Sequence, residues 1–288
     1  DCGMEGLTCH AGRCVNPDEN LKACEEEVVG DWTYYHSTNE FGETSIKENH
    51  CIEDDVSEEF WDWAYISSTS RSPIVSLMLH NEKVVGHYAV IAFDLYAKKG
   101  KKTKTALSIT TMIDKDFRQQ DGGIFALANS VYDYLEKDGV EFVFAYPNEM
   151  SSSVFRLFLD WKIDSTSRLI TAKGSELNNG LLANICKDRK YFFDIKDNDF
   201  LAWRLNKPGS KYYERSNSIV KEYNGSVDLL YFDKNCILDS DVEYNLLVGC
   251  GEVEKNRGAK YDFGVKRLTN TNVNPCDIAS MMILSDVF

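Results

Sequence analysis

The sequence predicts an α/β fold built on a mixed sheet, and three observations carry that reading. Apolar, β-branched runs of strand length alternate with a helical stripe through the middle of the chain. Two long apolar runs, 73–79 and 83–96, flank the polar triplet His80-Asn81-Glu82, the spacing of an antiparallel hairpin. The stretch 107–162 then reads strand, glycine turn, helix, strand, asparagine corner, helix. With 288 residues, 43% of them hydrophobic, the chain can bury one large core or two ordinary ones.

Residues 1–54 form an acidic, cysteine-rich leader. Cys2, Cys9, Cys14 and Cys24 crowd its start, and three readings stand side by side. They are disulfides of a loop-rich knot, a zinc site through Cys9, His10 and Cys14, or free thiols. Cys51, Cys186, Cys236, Cys250 and Cys276 are scattered and are expected as reduced thiols of core or surface. The acidic runs at 25–27 and 53–55 read as solvated surface. Asp31-Trp-Thr-Tyr-Tyr35 supplies a strand, and Ser57-Glu-Glu-Phe60 a capping-box-like helix start. Phe60, Trp61, Trp63 and Tyr65 form an aromatic cluster read as packing.

The next unit spans 55–163. Its hairpin returns into a basic turn, Lys98-Lys-Gly-Lys-Lys-Thr-Lys104, read first as a solubilising tip. Leu107-Ser-Ile-Thr-Thr-Met-Ile113 follows as a strand, and a polar segment then ends in Gly122-Gly123. Ile124, Leu127, Ala128, Val131 and Leu135 fall on one helix face, and Asp138-Gly139 stops the helix. Val140-Glu-Phe-Val-Phe-Ala-Tyr146 is a second strand, closed by Pro147, and Asn148-x-x-Ser151 is shaped to cap another helix. A glycine turn before a helix can gather backbone N–H groups on a phosphate; it is also a common steric device.

From 164 to 288 the chain becomes a second α/β region, punctuated by Asn178-Asn-Gly180, Pro208-Gly209, Asn224-Gly225 and Asn256-Arg-Gly258. Strand-like pieces lie at 191–195, 226–232 and 261–265, with a short helix at 199–205. A formal charge of −14 argues against nucleic acid or an anionic membrane as partner. No apolar run approaches the roughly 20 residues that span a bilayer. Hydrolase chemistry finds no G-x-S-x-G, and beyond the front cysteines no metal-ligand spacing is present.

The order of the stretch 107–162 resembles the central motif of the GNAT (Gcn5-related N-acetyltransferase) superfamily. Gln120-Asp-Gly-Gly123-Ile-Phe125 is similar to its Arg/Gln-x-x-Gly-x-Gly/Ala turn, with Phe125 at the last, usually small, position. The segment from Tyr146 to Lys162 is similar to its Asn-x-x-Ser corner, helix and final Gly-aromatic pair, with Asp160 in place of the glycine. Val85-Gly-His-Tyr88 is similar to its second-strand signature. Phe200-Leu-Ala-Trp-Arg204, Pro208 and Lys211-Tyr-Tyr213 resemble the second half of a tandem-GNAT subgroup associated with polysaccharide biosynthesis.

The resemblance implies a GNAT-like acyl-CoA transferase fold, with a second, degenerate GNAT-like half at 164–288 that walls the acceptor pocket. It implies a cytoplasmic N-acetyltransferase that uses acetyl-CoA as co-substrate and acts on a small-molecule amine, an amino sugar being one class. Backbone groups of Met112 and Ile113 would pair with pantetheine. Amides of Gln120, Asp121, Gly122, Gly123 and Ile124 would hold the pyrophosphate, with Arg118 beside them and Asn148 and Ser151 at the opening. The basic tip would be an alternative contact for the 3′-phosphate. The family's tyrosine acid is replaced by Phe155, and the acid of the subgroup's central strand by Thr110. Asp114 and Tyr146 are therefore the catalytic candidates, with His87 and Glu149 nearby. Two other readings stay open: a non-catalytic GNAT-fold binding module, and a FemA/FemX-like aminoacyl transferase, against which the charge counts.

Overall fold

In a computed structural model, side chains are described for residues 59–60, 62–65 and 73–285, except 82, 99, 119–122, 198, 216, 223–224, 234 and 255. Before them, five strands and one helix are described by their backbone. The chain divides into two compact units, Asp1–Ser67 with Leu79–Val84, and Ser68–Met78 with Val85–Phe288. The first holds the hairpin of β1 (Thr8–His10) and β2 (Arg13–Val15). It also holds an antiparallel sheet of β3 (Glu25–Val29), β4 (Trp32–Thr38) and β5 (Thr44–Lys47). The expected helix start is α1 (Glu58–Trp61), which runs into a π-type turn, Asp62–Ile66. There the Phe60 and Trp63 ring centroids lie 5.1 Å apart.

The predicted hairpin is β6 (Ile74–His80) and β7 (Lys83–Ala97), followed by β8 (Lys102–Ile113). Next come α2 (Gly123–Lys137), β9 (Phe142–Ala145), α3 (Glu149–Phe158), β10 (Lys162–Asp164) and β11 (Arg168–Lys173). Short helices α4 (Gly174–Glu176) and α5 (Leu182–Cys186) lead to β12 (Tyr191–Phe192) and α6 (Asn198–Leu205). The chain then makes β13 (Lys211–Arg215), β14 (Ser218–Tyr223), β15 (Ser226–Phe232) and β16 (Glu243–Val248). It continues through β17 (Ala259–Lys260) and β18 (Phe263–Arg267).

One sheet runs β10-β18-β9-β8-β7-β12, with β6 also paired to β7. The strand expected at 261–265 is therefore β18, lodged in this sheet between β9 and β10. β7 is buried almost without interruption from Val85 to Leu95, which is why its sequence reads as a continuous apolar run and not an alternation. On one face Tyr88, Val90, Ala106 and Val143 meet the stripe of α2, Leu127, Ala128, Val131 and Leu135. On the other, Phe93 packs 4.6 Å from Phe200 of α6 and 5.4 Å from Phe144 of β9. The second sheet, β13-β14-β15-β16-β11-β17, is antiparallel except for the parallel β15–β16 pair. The architecture is α/β with two mixed sheets, and β7-β8-α2-β9-α3 follow one another as the GNAT resemblance implied.

One expectation is corrected. Cys250 and Cys276, read as reduced thiols, form a disulfide with Cα atoms 5.5 Å apart. They are 26 residues apart in sequence, and the return of the chain through β18 brings them together. Cys186 and Cys236 are free thiols. The side chains of the front cluster, and Cys51, lie outside the described residues.

Candidate active site

The site begins with an irregularity in β8. Ala89 faces Thr110 and Val90 faces Ser108, so Ile109 is an extra residue on β8, a β-bulge. A bulge bends its strand and sharpens the local twist. On its other side β8 runs parallel to β9 through Thr105–Phe142, Ala106–Val143 and Leu107–Phe144, where the pairing ends. β8 continues to Ile113, whereas β9 stops at Ala145 and the chain turns through Pro147 into α3. The two strands thus part company at the bulge.

A cavity of about 660 Å³ opens in that gap, within the usual range for small-molecule sites. Thr111, Met112 and Ile113 of β8 form its floor, and Gly123, Ile124 and Phe125 bring the first turn of α2. Asn148, Met150, Ser151, Val154, Phe155 and Phe158 supply the wall from α3, and Arg118 the charge. Of the residues assigned from the sequence, Met112, Ile113, Arg118, Gly123, Ile124, Asn148 and Ser151 all meet here. Gln120, Asp121 and Gly122 lie outside the described residues.

Local chemistry places each side chain. The Asn148 side-chain oxygen accepts the Ser151 N–H at 2.8 Å and caps α3. Arg118 donates from Nε to the Ile113 carbonyl at 2.9 Å, which folds the turn back over the end of β8. The start of α2 carries the positive end of a 15-residue helix dipole. Buried beneath, the Trp161 indole donates to the Tyr132 hydroxyl at 2.9 Å, and Tyr132 pairs with Tyr88 at 3.2 Å. Burial pushes the Tyr88 phenol up to about 12 and Tyr132 well above its ordinary value. Phe155 of the cavity wall rests on Trp161, centroids 4.7 Å apart.

Neither catalytic candidate lines the cavity. Asp114 is buried and accepts the Asp116 N–H at 2.9 Å, the geometry of an Asx turn at the end of β8. Tyr146 donates its hydroxyl to the Met281 carbonyl at 3.1 Å and packs against Phe263. Burial raises its phenol well above the ordinary range. His87 of β7 meets the Thr110 hydroxyl through Nε2 at 3.2 Å, and burial lowers its pKa to about 4. Glu149 is exposed in the first turn of α3.

The basic turn stands elsewhere. Lys104 donates to the Asp138 carbonyl at 2.6 Å, just beyond the C-terminal end of α2. Fifteen helical residues put that point about 22 Å from Gly123. Lys102 pairs with Asp94 at 2.6 Å and Lys98 donates to the Lys187 carbonyl at 2.8 Å. These three lysines are held by residues around the turn.

Reasoning from sequence left Met150, Val154 and Phe158 unassigned. Met150, Val154 and Phe158 recur at i, i+4 and i+8 along α3, an apolar stripe that ordinarily signals core. Met150 and Phe158 are instead 73% and 60% exposed. The core contact of α3 falls on the neighbouring stripe, through Ser152 and Phe155. Asp160, at the glycine of the family pattern, has φ of 55°, the left-handed region that explains the glycine there.

No protein-family model matches the sequence, and no curated protein does. Among solved structures, the chain is similar to a GCN5-related N-acetyltransferase from Kribbella flavida at 10% identity, TM-score 0.46. That match covers 66% of this chain and 59% of the other, so it spans about three-fifths of the Kribbella protein. A conserved protein from Enterococcus faecalis V583, described as a probable N-acyltransferase, matches at 11% identity, TM-score 0.49, over 75% and 67% of the two chains. A GCN5-related N-acetyltransferase from Anabaena variabilis matches at 10% identity, TM-score 0.46, over 67% and 62%.

Proposed function

We propose that this chain is an acyl-CoA-dependent N-acyltransferase, moving an acetyl group from acetyl-CoA to a small amine. The observation that carries the reading is the cavity itself. It lies where β8 leaves β9, and it is closed by the start of α2 and by α3. The backbone of β8 beyond Leu107 offers an edge to the amides of a pantetheine arm. The N–H groups at the start of α2 face a pyrophosphate, with Arg118 as counter-charge. Asn148 orients the opening through its cap on α3.

Acyl transfer requires an amine that has lost its proton and a thiolate that gains one. Coenzyme A thiolate leaves readily, so the absence of a tyrosine at Phe155 does not stop the reaction. The use of acetyl-CoA proposes the cytoplasm as compartment, and an amino sugar as one acceptor class. Among the described residues no helix is long and apolar enough to cross a membrane.

A second reading, donor binding without turnover, is favoured by Phe155, whose ring lines the cavity where the family carries an acid. Calorimetric titration with acetyl-CoA, followed by thiol release in the presence of a panel of amines and amino sugars, separates the two. Binding with amine-dependent release supports the enzyme. Binding without release supports the module, and no binding at millimolar acetyl-CoA by folded protein sinks both.

A further inference from the structure

The cavity mouth is built against expectation. Phe125 stands where a small residue is the pattern, on the first turn of α2, and is 55% exposed. The same lining holds Met150 and Phe158, the exposed ends of the α3 stripe. Leaving three large apolar side chains in water around one opening is unfavourable unless something covers them. Charge is scarce at the same place. Among the described residues Arg118 is the one cation in the lining, and its Nε is already given to the Ile113 carbonyl. Of the lysines described in the basic turn, Lys104 bonds Asp138 beyond the far end of α2 and Lys102 pairs with Asp94 of β7.

We infer that Phe125 and Phe158 form a stacking platform for the adenine base of the donor. Donor affinity at this end then comes from the base and not from a cationic grip on the 3′-phosphate. The inference rests on the acyl-CoA reading above and deepens it. An order of parts supports the occupant. Along β8 the lining runs from Thr111 at the strand gap outward to Ile113, then to Gly123 and finally Phe125. A thioester at the gap and a pyrophosphate at Gly123 leave the nucleoside at Phe125. Aromatic rings accept a flat heterocycle on either face without a fixed hydrogen-bond pattern.

Three donors test this by calorimetry on the full chain: acetyl-CoA, acetyl-dephospho-CoA, and the acetyl thioester of 4′-phosphopantetheine. The expected result is that loss of the 3′-phosphate changes Kd less than about threefold, whereas loss of the adenosine moiety weakens binding about tenfold to a hundredfold. Phe125→Ala and Phe158→Ala should each weaken acetyl-CoA binding about fivefold or more and leave the phosphopantetheine thioester unchanged. Phe125→Trp should retain affinity, which separates stacking from loss of fold. Equal weakening of all three donors in the alanine variants, or a tenfold loss on removing the 3′-phosphate alone, overturns the platform while leaving acyl-CoA binding intact. Failure of the parent protein to bind acetyl-CoA overturns the inference and the functional reading together.

Discussion

Gly123 offers the sharpest test of the site, because the fold itself does not demand a glycine there. Its φ is outside the left-handed region that would require one. A Cβ built on it would sit 3.6 Å from Ile113 Cδ1 and 3.9 Å from the carbonyl oxygens of Phe117 and Arg118, all ordinary contacts. Gly123→Ala should therefore fold, and should gain about 0.4–1 kcal/mol from a less free unfolded chain. In a scanning experiment that is a rise in Tm of about 1–4 °C. Donor binding should move the other way. A methyl group at the head of α2 holds a pyrophosphate off the amides, and losing one charge-assisted hydrogen bond costs about 1.5–3 kcal/mol. That corresponds to about a tenfold to 150-fold rise in the Kd for acetyl-CoA by calorimetry. Gly123→Glu adds like charge. At about 4 Å and an effective dielectric near 20 the repulsion is about 4 kcal/mol, enough to abolish measurable binding. If both variants are folded and bind acetyl-CoA as tightly as the parent, the phosphate role of this turn is refuted. If Gly123→Ala unfolds, the packing argument is refuted instead.

Other consequences follow from the same structure. Tyr132→Phe strands the Trp161 indole N–H in the core while the Tyr88 hydroxyl keeps Ser108, so chemical denaturation should show a loss of about 1–3 kcal/mol; a change under 0.5 kcal/mol would mean that water enters there. His87 has a folded pKa of about 4 against 6.5 unfolded, so its neutral form stabilises the fold fully above pH 6.5. That contribution drains away as pH falls towards 4, by at most about 3 kcal/mol. His87→Gln should flatten stability across that window, and an NMR titration showing an ordinary imidazole would contradict it. Replacing Cys250 and Cys276 together by serine opens a 26-residue loop, for which chain entropy gives about 3.5 kcal/mol, or a Tm lower by about 5–10 °C. Thiol counting before and after denaturation shows whether the bridge is present. Asp160→Gly should raise stability by up to about 1 kcal/mol by relieving its left-handed backbone, less whatever the Lys266 contact at 3.7 Å supplies.

Local order was legible in the residues themselves. The stripe Ile124, Leu127, Ala128, Val131 and Leu135 announces α2, because neighbours three and four apart share one face of a helix whatever lies beyond it. Asn148 and Ser151 announce the cap of α3, because the bond closes within one turn. Seven residues named from the strand end, glycine turn and asparagine corner line one cavity for the same reason: they sit at the ends of adjoining elements in a single strand–helix–strand unit. Non-local pairing decided the rest. The strand that flanks β9 comes from residues 263–267, more than a hundred positions away, and only tertiary closure brings it there. That closure joins Cys250 to Cys276 and sets the Met281 carbonyl over the Tyr146 hydroxyl, taking a candidate acid away from the cavity. The stripe Met150, Val154 and Phe158 shows the limit most directly. Periodicity says that a face is apolar, but what covers it depends on where β8 and β9 separate, and that is a property of the assembled sheet.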